Sequence, residues 1–246
     1  MLSVSLLAAF PDLVEHALDF GVTGRARERG LWRWQGFGLH DFAADARKSI
    51  DARPAAGGPG MVLMAGPLDR TLAAARQWHQ CKPTVVFLSP DGAPLTQARV
   101  RDFAQLTDLC FVAGRYEGID QRWIDVNVDA VVSLGDYVLS GGELAAAVVV
   151  DACVRLLPGA LGDGESTQYE SFADTQGGRL DWPQYALTGG EASLPEGLQG
   201  GDHAAIERWR LKQALARTWR RRPDLLARAQ LSLEERALLR EIALES

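Results

Sequence analysis

The sequence predicts an α/β domain built on a mainly parallel sheet, followed by a small α-helical domain. Three observations carry this. Short apolar runs alternate with helical stretches over residues 2–161. One of them, TVVFL at residues 84–88, is β-branched and uninterrupted, the pattern of a strand buried on both faces. Beyond residue 202 the apolar spacing becomes helical and basic residues gather.

Taken in order, residues 2–10 predict a strand, and residues 11–20 a helix opened by Pro11. Residues 61–65 predict a short strand, with a helix from about 69 to 79. The 84–88 strand precedes a helix over 97–105 and a second buried strand over 109–112. A further strand falls at 128–132. A long helix over 142–157 closes at Pro158-Gly159.

Composition then changes. Residues 162–201 are rich in Gly, Ser, Thr, Gln and Pro with little periodicity, which predicts a linker and irregular loop between domains that orders on binding. From residue 202 the positions of Ile206, Trp209, Leu215 and Trp219 predict helix, with Asp202 as its cap. The expected division is therefore 1–161, 162–201 and 202–246, the last holding two or three helices.

Hydrophobic residues make up 47% of the 246 and charged residues 24%, enough apolar side chain for a substantial core. Cys81, Cys110 and Cys153 are far apart, without CxxC pairing or histidine at ligand spacing, so neither a metal site nor a disulfide framework is expected. The apolar start carries no basic residue and stops at Pro11-Asp12; the run over 144–150 stops at Asp151. No signal peptide or membrane span is expected, and the protein is read as cytoplasmic.

The formal net charge is −6, yet local distribution matters more than the sum. Arg208, Arg210, Lys212, Arg217, Arg220, Arg221, Arg222 and Arg228 are opposed locally only by Glu207 and Asp224. Arg25, Arg27, Arg29 and Arg33 form a second cluster, broken by Glu28. Each reads equally as a nucleic-acid-facing stripe or a solvated helix face. His40, His79 and His203 are isolated and carry no catalytic assignment, and Trp209 and Trp219 read as core.

Three glycine-rich stretches adjoin the predicted strands: GGPGM (57–61), GRYEGID (114–120) and GDYVLSGGE (135–143). Glycine at the end of a buried strand lets the backbone turn and approach a ligand, and open α/β sheets bind ligands at these carboxyl ends. Neither G-x-x-x-x-G-K-[ST] nor G-x-G-x-x-G opening a helix is present, so a phosphate cradle is disfavoured. An adenosine-type ligand held by backbone groups fits better.

The order SPDG (89–92), GRYEGID and GDYVLSGGE resembles the bacterial tRNA (guanine-N(1))-methyltransferase family of the SPOUT class. GVTGRA (21–26), GGPGM and RWRLKQALARTWRRRPDLL (208–226) do so too. The resemblance implies a SPOUT-type sheet with a deep trefoil knot, a homodimer with its active site at the subunit interface, and S-adenosylmethionine as methyl donor, with Mg²⁺ also used. It implies cofactor contacts at Leu88, Ser89, Pro90, Gly114, Tyr116, Glu117, Leu134, Gly135, Tyr137, Leu139, Gly141 and Gly142. Substrate contacts are implied at Ser166, Asp181, Arg220 and Arg221, the arginines as phosphate contacts that position RNA without reading its sequence.

The expected reaction is methyl transfer to N(1) of guanosine 37 in the tRNA anticodon loop. N(1) of guanine carries a proton at neutral pH, so its attack on a sulfonium methyl needs a base, and the developing charge needs a cationic or hydrogen-bonding partner. The family's arginine for this role matches Arg155. Its aspartate, followed by Ser-Phe, falls on Tyr169-Glu170-Ser171-Phe172, so the base position holds Glu170. Glutamate keeps the carboxylate but adds a methylene, and a misplacement of about 1 Å can cost on the order of a hundredfold in rate.

The loop that follows departs as well, with two extra residues before Leu180, and Trp182 and Gln184 where the family has Cys and His. These departures leave two alternatives: a related SPOUT methyltransferase acting on another RNA, and a non-catalytic RNA-binding paralogue.

Overall fold

The computed structural model describes residues 1–162, 167–186, 194–199 and 201–245. The strand Leu2–Ala8 (β1) leads into the helices Pro11–Leu18 (α1) and Gly21–Glu28 (α2), then the strand Trp32–Gly38 (β2). Asp51–Ala52 (β3) and Val62–Leu63 (β4) form a small antiparallel pair before the helix Ala65–His79 (α3). Thr84–Pro94 (β5), Gln97–Ala104 (α4), Asp108–Ala113 (β6), Gln121–Asn127 (α5), Ala130–Ser133 (β7) and Glu143–Val154 (α6) follow. Beyond them come His203–Arg221 (α7), Pro223–Arg228 (α8) and Leu233–Leu244 (α9).

The five long strands form one sheet in the order β2-β1-β6-β5-β7, with every pairing parallel. Helices cover both faces, which is why β1 is buried at all seven residues. Val4 and Leu6 of β1 and Phe111 of β6 face a core completed by Val14 and Leu18 of α1, Phe103 of α4, and Val149 and Val150 of α6. Leu7, Val85, Phe87 and Val112 face the opposite core with Leu68 and Leu72 of α3 and Trp123 of α5. Helix α6 is apolar nearly all round, and Leu144 and Val148 remain about half exposed on it.

Several elements differ from the sequence reading. Helix α3 begins at Ala65 rather than near residue 69, because Pro67 sits in the first turn, where its missing N–H has no intrahelical partner to lose. The strand expected at 61–65 contracts to β4 and lies outside the main sheet. Strand β2, not expected from the sequence, carries only a short apolar alternation, Trp32 and Trp34 against Arg33 and Gln35. It exists because WRWQGFG pairs residue for residue along the edge of β1, with Gly36 packed against the Pro11 side chain.

The chain divides into two compact units, Met1–Gly162 and Asp163–Ser246. In the second, Leu215 and Ala216 of α7 pack with Leu238 and Ile242 of α9. Asp202 caps α7, accepting from the amides of Ala204 and Ala205. No helix among the described residues is long and apolar enough to cross a membrane.

Candidate active site

The regular pairing of β5 with β6 and β7 breaks after Leu88, where residues 89–92 bulge out before β5 resumes at Ala93, and β6 and β7 end beside this bulge in glycine-rich loops. Between these loops lies a cavity of about 250 Å³. All twelve residues singled out from the sequence for cofactor contact line it: Leu88, Ser89, Pro90, Gly114, Tyr116, Glu117, Leu134, Gly135, Tyr137, Leu139, Gly141 and Gly142. Phe87, Arg115 and Ser133 also line it and were not singled out. Arg115 was the most accessible of these omissions, since it stands inside GRYEGID between two assigned positions.

The loops are tied to one another. The Gly142 amide donates to the Gly114 carbonyl at 2.9 Å, and Arg115 and Gly141 form an isolated antiparallel bridge. A Cβ at Gly142 would stand 2.9 Å from the Ala113 Cα, so only glycine lets this loop seat on the end of β6. Ser133 Oγ accepts from the Gly135 amide at 3.2 Å and steadies the turn after β7.

A buried ion pair braces the same two loops. Arg115 Nε donates to Glu143 Oε1 at 2.8 Å, with the Glu143 side chain only 1% exposed. Glu143 Oε2 is buried with no hydrogen-bond partner among the described residues. The Arg115 guanidinium also lies 4.6 Å from the centre of the Phe10 ring.

The third glycine stretch reaches the cavity indirectly. The Glu117 amide donates to the Met61 carbonyl, the Leu63 amide to Gly118, and the Asp120 amide to Leu63, each at 2.9–3.0 Å. A Cβ at Gly60 would fall 2.4 Å from Glu117 Oε1, so GGPGM supplies the space that the Glu117 side chain occupies. Five of the lining residues are glycines, which leave their peptide groups open to a ligand. Tyr116, at the wall, holds φ +59°, a left-handed conformation uncommon for an aromatic residue and a recurrent mark of functional sites.

The remaining assigned residues are distributed over both units. Arg155 is half-buried at the end of α6, its amide donating to the Asp151 carbonyl. Glu170 lies in the second unit, its carbonyl accepting from the Ala173 amide at 3.2 Å. Asp181 caps its own turn, Oδ1 accepting from the Trp182 amide at 2.7 Å. Ser166 lies outside the described residues.

Arg220 and Arg221 are exposed at the end of α7 and have no carboxylate partner among the described residues. Much of the basic stripe around them is neutralised. Arg208 pairs with Glu241, Lys212 with Glu245, Arg210 with Glu207 and Arg222 with Asp224. The first two acids come from α9 or just beyond it, which a local count of charge along α7 does not register. The N-terminal cluster is similarly engaged, with Arg27 on Glu15 and Asp19, and Arg33 stacked 4.2 Å from Trp78.

The comparisons with known proteins agree with this geometry. The family model described as tRNA (Guanine-1)-methyltransferase TrmD matches residues 2–228. A protein of Dechloromonas aromatica (strain RCB) named tRNA (guanine-N(1)-)-methyltransferase is 48% identical over 250 residues, covering 99% of this chain and 97% of that protein. Proteins of the same name from Halorhodospira halophila and Xanthomonas campestris pv. campestris (strain B100) are 47% and 46% identical. Each covers 98% of this chain, and they are themselves covered over 91% and 96%. The chain belongs to the tRNA (guanine-1)-methyltransferase family.

Proposed function

We propose that this protein transfers a methyl group from S-adenosylmethionine to N(1) of guanosine 37 in the tRNA anticodon loop, in the cytoplasm. One observation carries the reading: the twelve residues assigned to the cofactor by resemblance line a single cavity at the carboxyl ends of three parallel strands. Its glycine walls fit an adenosine moiety recognised by backbone groups. When bound there, the donor supplies an electrophilic sulfonium methyl.

The protein's own groups would do the rest. Glu170 takes the N(1) proton, and Arg155 stabilises the charge that develops on the base. Arg220, Arg221, Asp181 and Ser166 contact the RNA. An unpaired anticodon loop suits this chemistry, since its bases can be splayed away from their neighbours and read on their edges. Among the described residues no three His, Cys, Asp or Glu side chains are grouped to hold a metal ion.

The reading includes a knotted SPOUT domain over 1–161, a substrate linker over 162–201 and an RNA-binding helical domain over 202–246. The knot in this reading rests on the family resemblance, with which the parallel five-stranded sheet is consistent. The exposed Leu144 and Val148 on α6 support a homodimer contact there.

The test is methyl transfer from labelled S-adenosylmethionine to an unmodified tRNA transcript carrying guanosines at 36 and 37, against one with adenosine at 37. Label on the first alone, mapping to N(1), is expected. Cofactor binding without label on either would overturn the assignment, in favour of another RNA substrate or a non-catalytic role.

A further inference from the structure

Glu170 opens a loop that the second unit holds firmly. Tyr169 and Trp182 meet ring to ring at 6.4 Å, one on either side of it. Between them the Phe172 amide donates to the Arg179 carbonyl at 2.8 Å, and the Gly178 amide to the Ala173 carbonyl at 3.0 Å. The Asp181 amide donates to Ser171 Oγ at 3.0 Å. Gly177 and Gly178, both at positive φ, supply the return. Phe172 holds φ +68°, a conformation that an aromatic residue keeps only when its surroundings impose it.

Three contacts fasten the loop to the helices. The Leu180 amide donates to Thr218 Oγ1 at 3.1 Å, and Arg217 Nη1 to the Asp181 carbonyl at 3.3 Å, both from α7. The third joins Arg179 Nη1 to Glu235 Oε1 at 2.5 Å, with both side chains only 11% exposed. Glu235 stands in the first turn of α9 and uses its other oxygen, Oε2, to accept from the Ser232 amide at 2.6 Å in a capping box. Burial works against the charge on this carboxylate. The Ser232 amide and the Arg179 guanidinium outweigh that and hold it below the usual carboxylate range.

We infer that the Arg179–Glu235 pair is the positioning contact that keeps the Glu170 loop in its working geometry, so that the start of α9 sets the reach of the base. The inference rests on the reading of Glu170 as the base. Neither partner touches substrate in this role. The pair closes the longer return through Gly177 and Gly178, and it acts at the one acid in α9 that both caps the helix and grips the loop.

Two variants separate these jobs. Glu235→Gln keeps a side chain competent for the capping box but loses the ion pair, and Arg179→Gln leaves the cap untouched. The full chain of each would be followed by hydrogen exchange and by steady-state methylation of the tRNA transcript, beside Glu170→Gln and the Glu170→Gln/Glu235→Gln double variant.

The expected result is faster exchange at the Phe172, Gly178 and Asp181 amides with α9 still protected. With it, kcat falls on the order of tenfold or more, with KM for S-adenosylmethionine unchanged. The double variant should be no slower than Glu170→Gln alone. Unchanged kcat in both Arg179→Gln and Glu235→Gln, with Glu170→Gln slow, would overturn the positioning role and leave the base reading intact. Full activity in Glu170→Gln would instead remove the base reading, and the inference with it.

Discussion

His79 Nδ1 lies 2.8 Å from Asp108 Oδ1, and the other ring nitrogen lies 2.9 Å from Ser5 Oγ. The connectivity is that of a hydrolytic triad, but the Ser5 hydroxyl sits fully buried in β1 between β2 and β6. The network instead satisfies polar groups where the sheet meets the end of α3. Burial pushes the His79 imidazole below its ordinary value of 6.5, against the pull of Asp108. Burial opposes ionisation of Asp108, yet its hydrogen bonds, that from His79 foremost, hold it below 3.8.

Both shifts have the same sign for stability. A group whose pKa is depressed by folding contributes fully above its unfolded pKa, and that contribution is lost as pH falls towards the folded value. For His79 the loss begins below about pH 6.5, and for Asp108 below about pH 4. Urea unfolding at pH 8, 6.5 and 5 should show stability declining over the lower interval. His79→Asn should be less stable at pH 8, by about 1–3 kcal/mol for the broken buried hydrogen bonds, and show a flatter decline.

The Glu143 carboxylate offers a second test. Its removal in Glu143→Ala leaves Arg115, 21% exposed, without its acid partner beside the cavity. A loss of about 3 kcal/mol in unfolding free energy is expected, together with weaker S-adenosylmethionine binding by calorimetry. Glu143→Gln, which keeps an acceptor for Arg115, should lose less of both. Equal stability in all three proteins would show that the pair is not what braces the two loops.

Gly60 is predicted to act on the cavity through Glu117. Alanine there would place a Cβ 2.4 Å from Glu117 Oε1 and would have to hold φ +84°. Gly60→Ala should weaken S-adenosylmethionine roughly tenfold, about 1.4 kcal/mol, chiefly by displacing Glu117. Gly57→Ala, with nothing within 4 Å of the added carbon, carries the strain of positive φ without that collision and serves as the control.

Arg220 and Arg221, without a carboxylate partner among the described residues, should differ in salt signature from the paired arginines of α7. Arg220→Ala/Arg221→Ala should lower the slope of log affinity for tRNA against log salt by roughly 1.4–1.8, about 0.7–0.9 per lost phosphate contact, and leave cofactor affinity unchanged. Arg208→Ala should change the slope less, because Arg208 is already engaged with Glu241. Fluorescence titration of labelled transcript at several salt concentrations measures both.

Much of this protein was legible along the chain because the signals are local. The runs at 84–88 and 109–112 could not be soluble unless covered on both faces, so they announced strands β5 and β6. Asp202 announced the start of α7 because an N-cap needs only its next three residues. GRYEGID and GDYVLSGGE marked the cavity walls, since glycine at a strand's end already implies a close backbone approach. Strand β2 was not legible, because its register exists only against β1.

Tertiary structure alone decided the pairings between distant residues. Glu143 reaches Arg115 across 28 positions, His79 links Ser5 to Asp108, and Glu235 grips Arg179 while Glu241 of α9 neutralises Arg208 of α7. A side chain's charge is written in the sequence. Whether that charge is spent on a neighbour or left for a ligand depends on what folding brings within about 3 Å, a distance at which sequence separation carries no information.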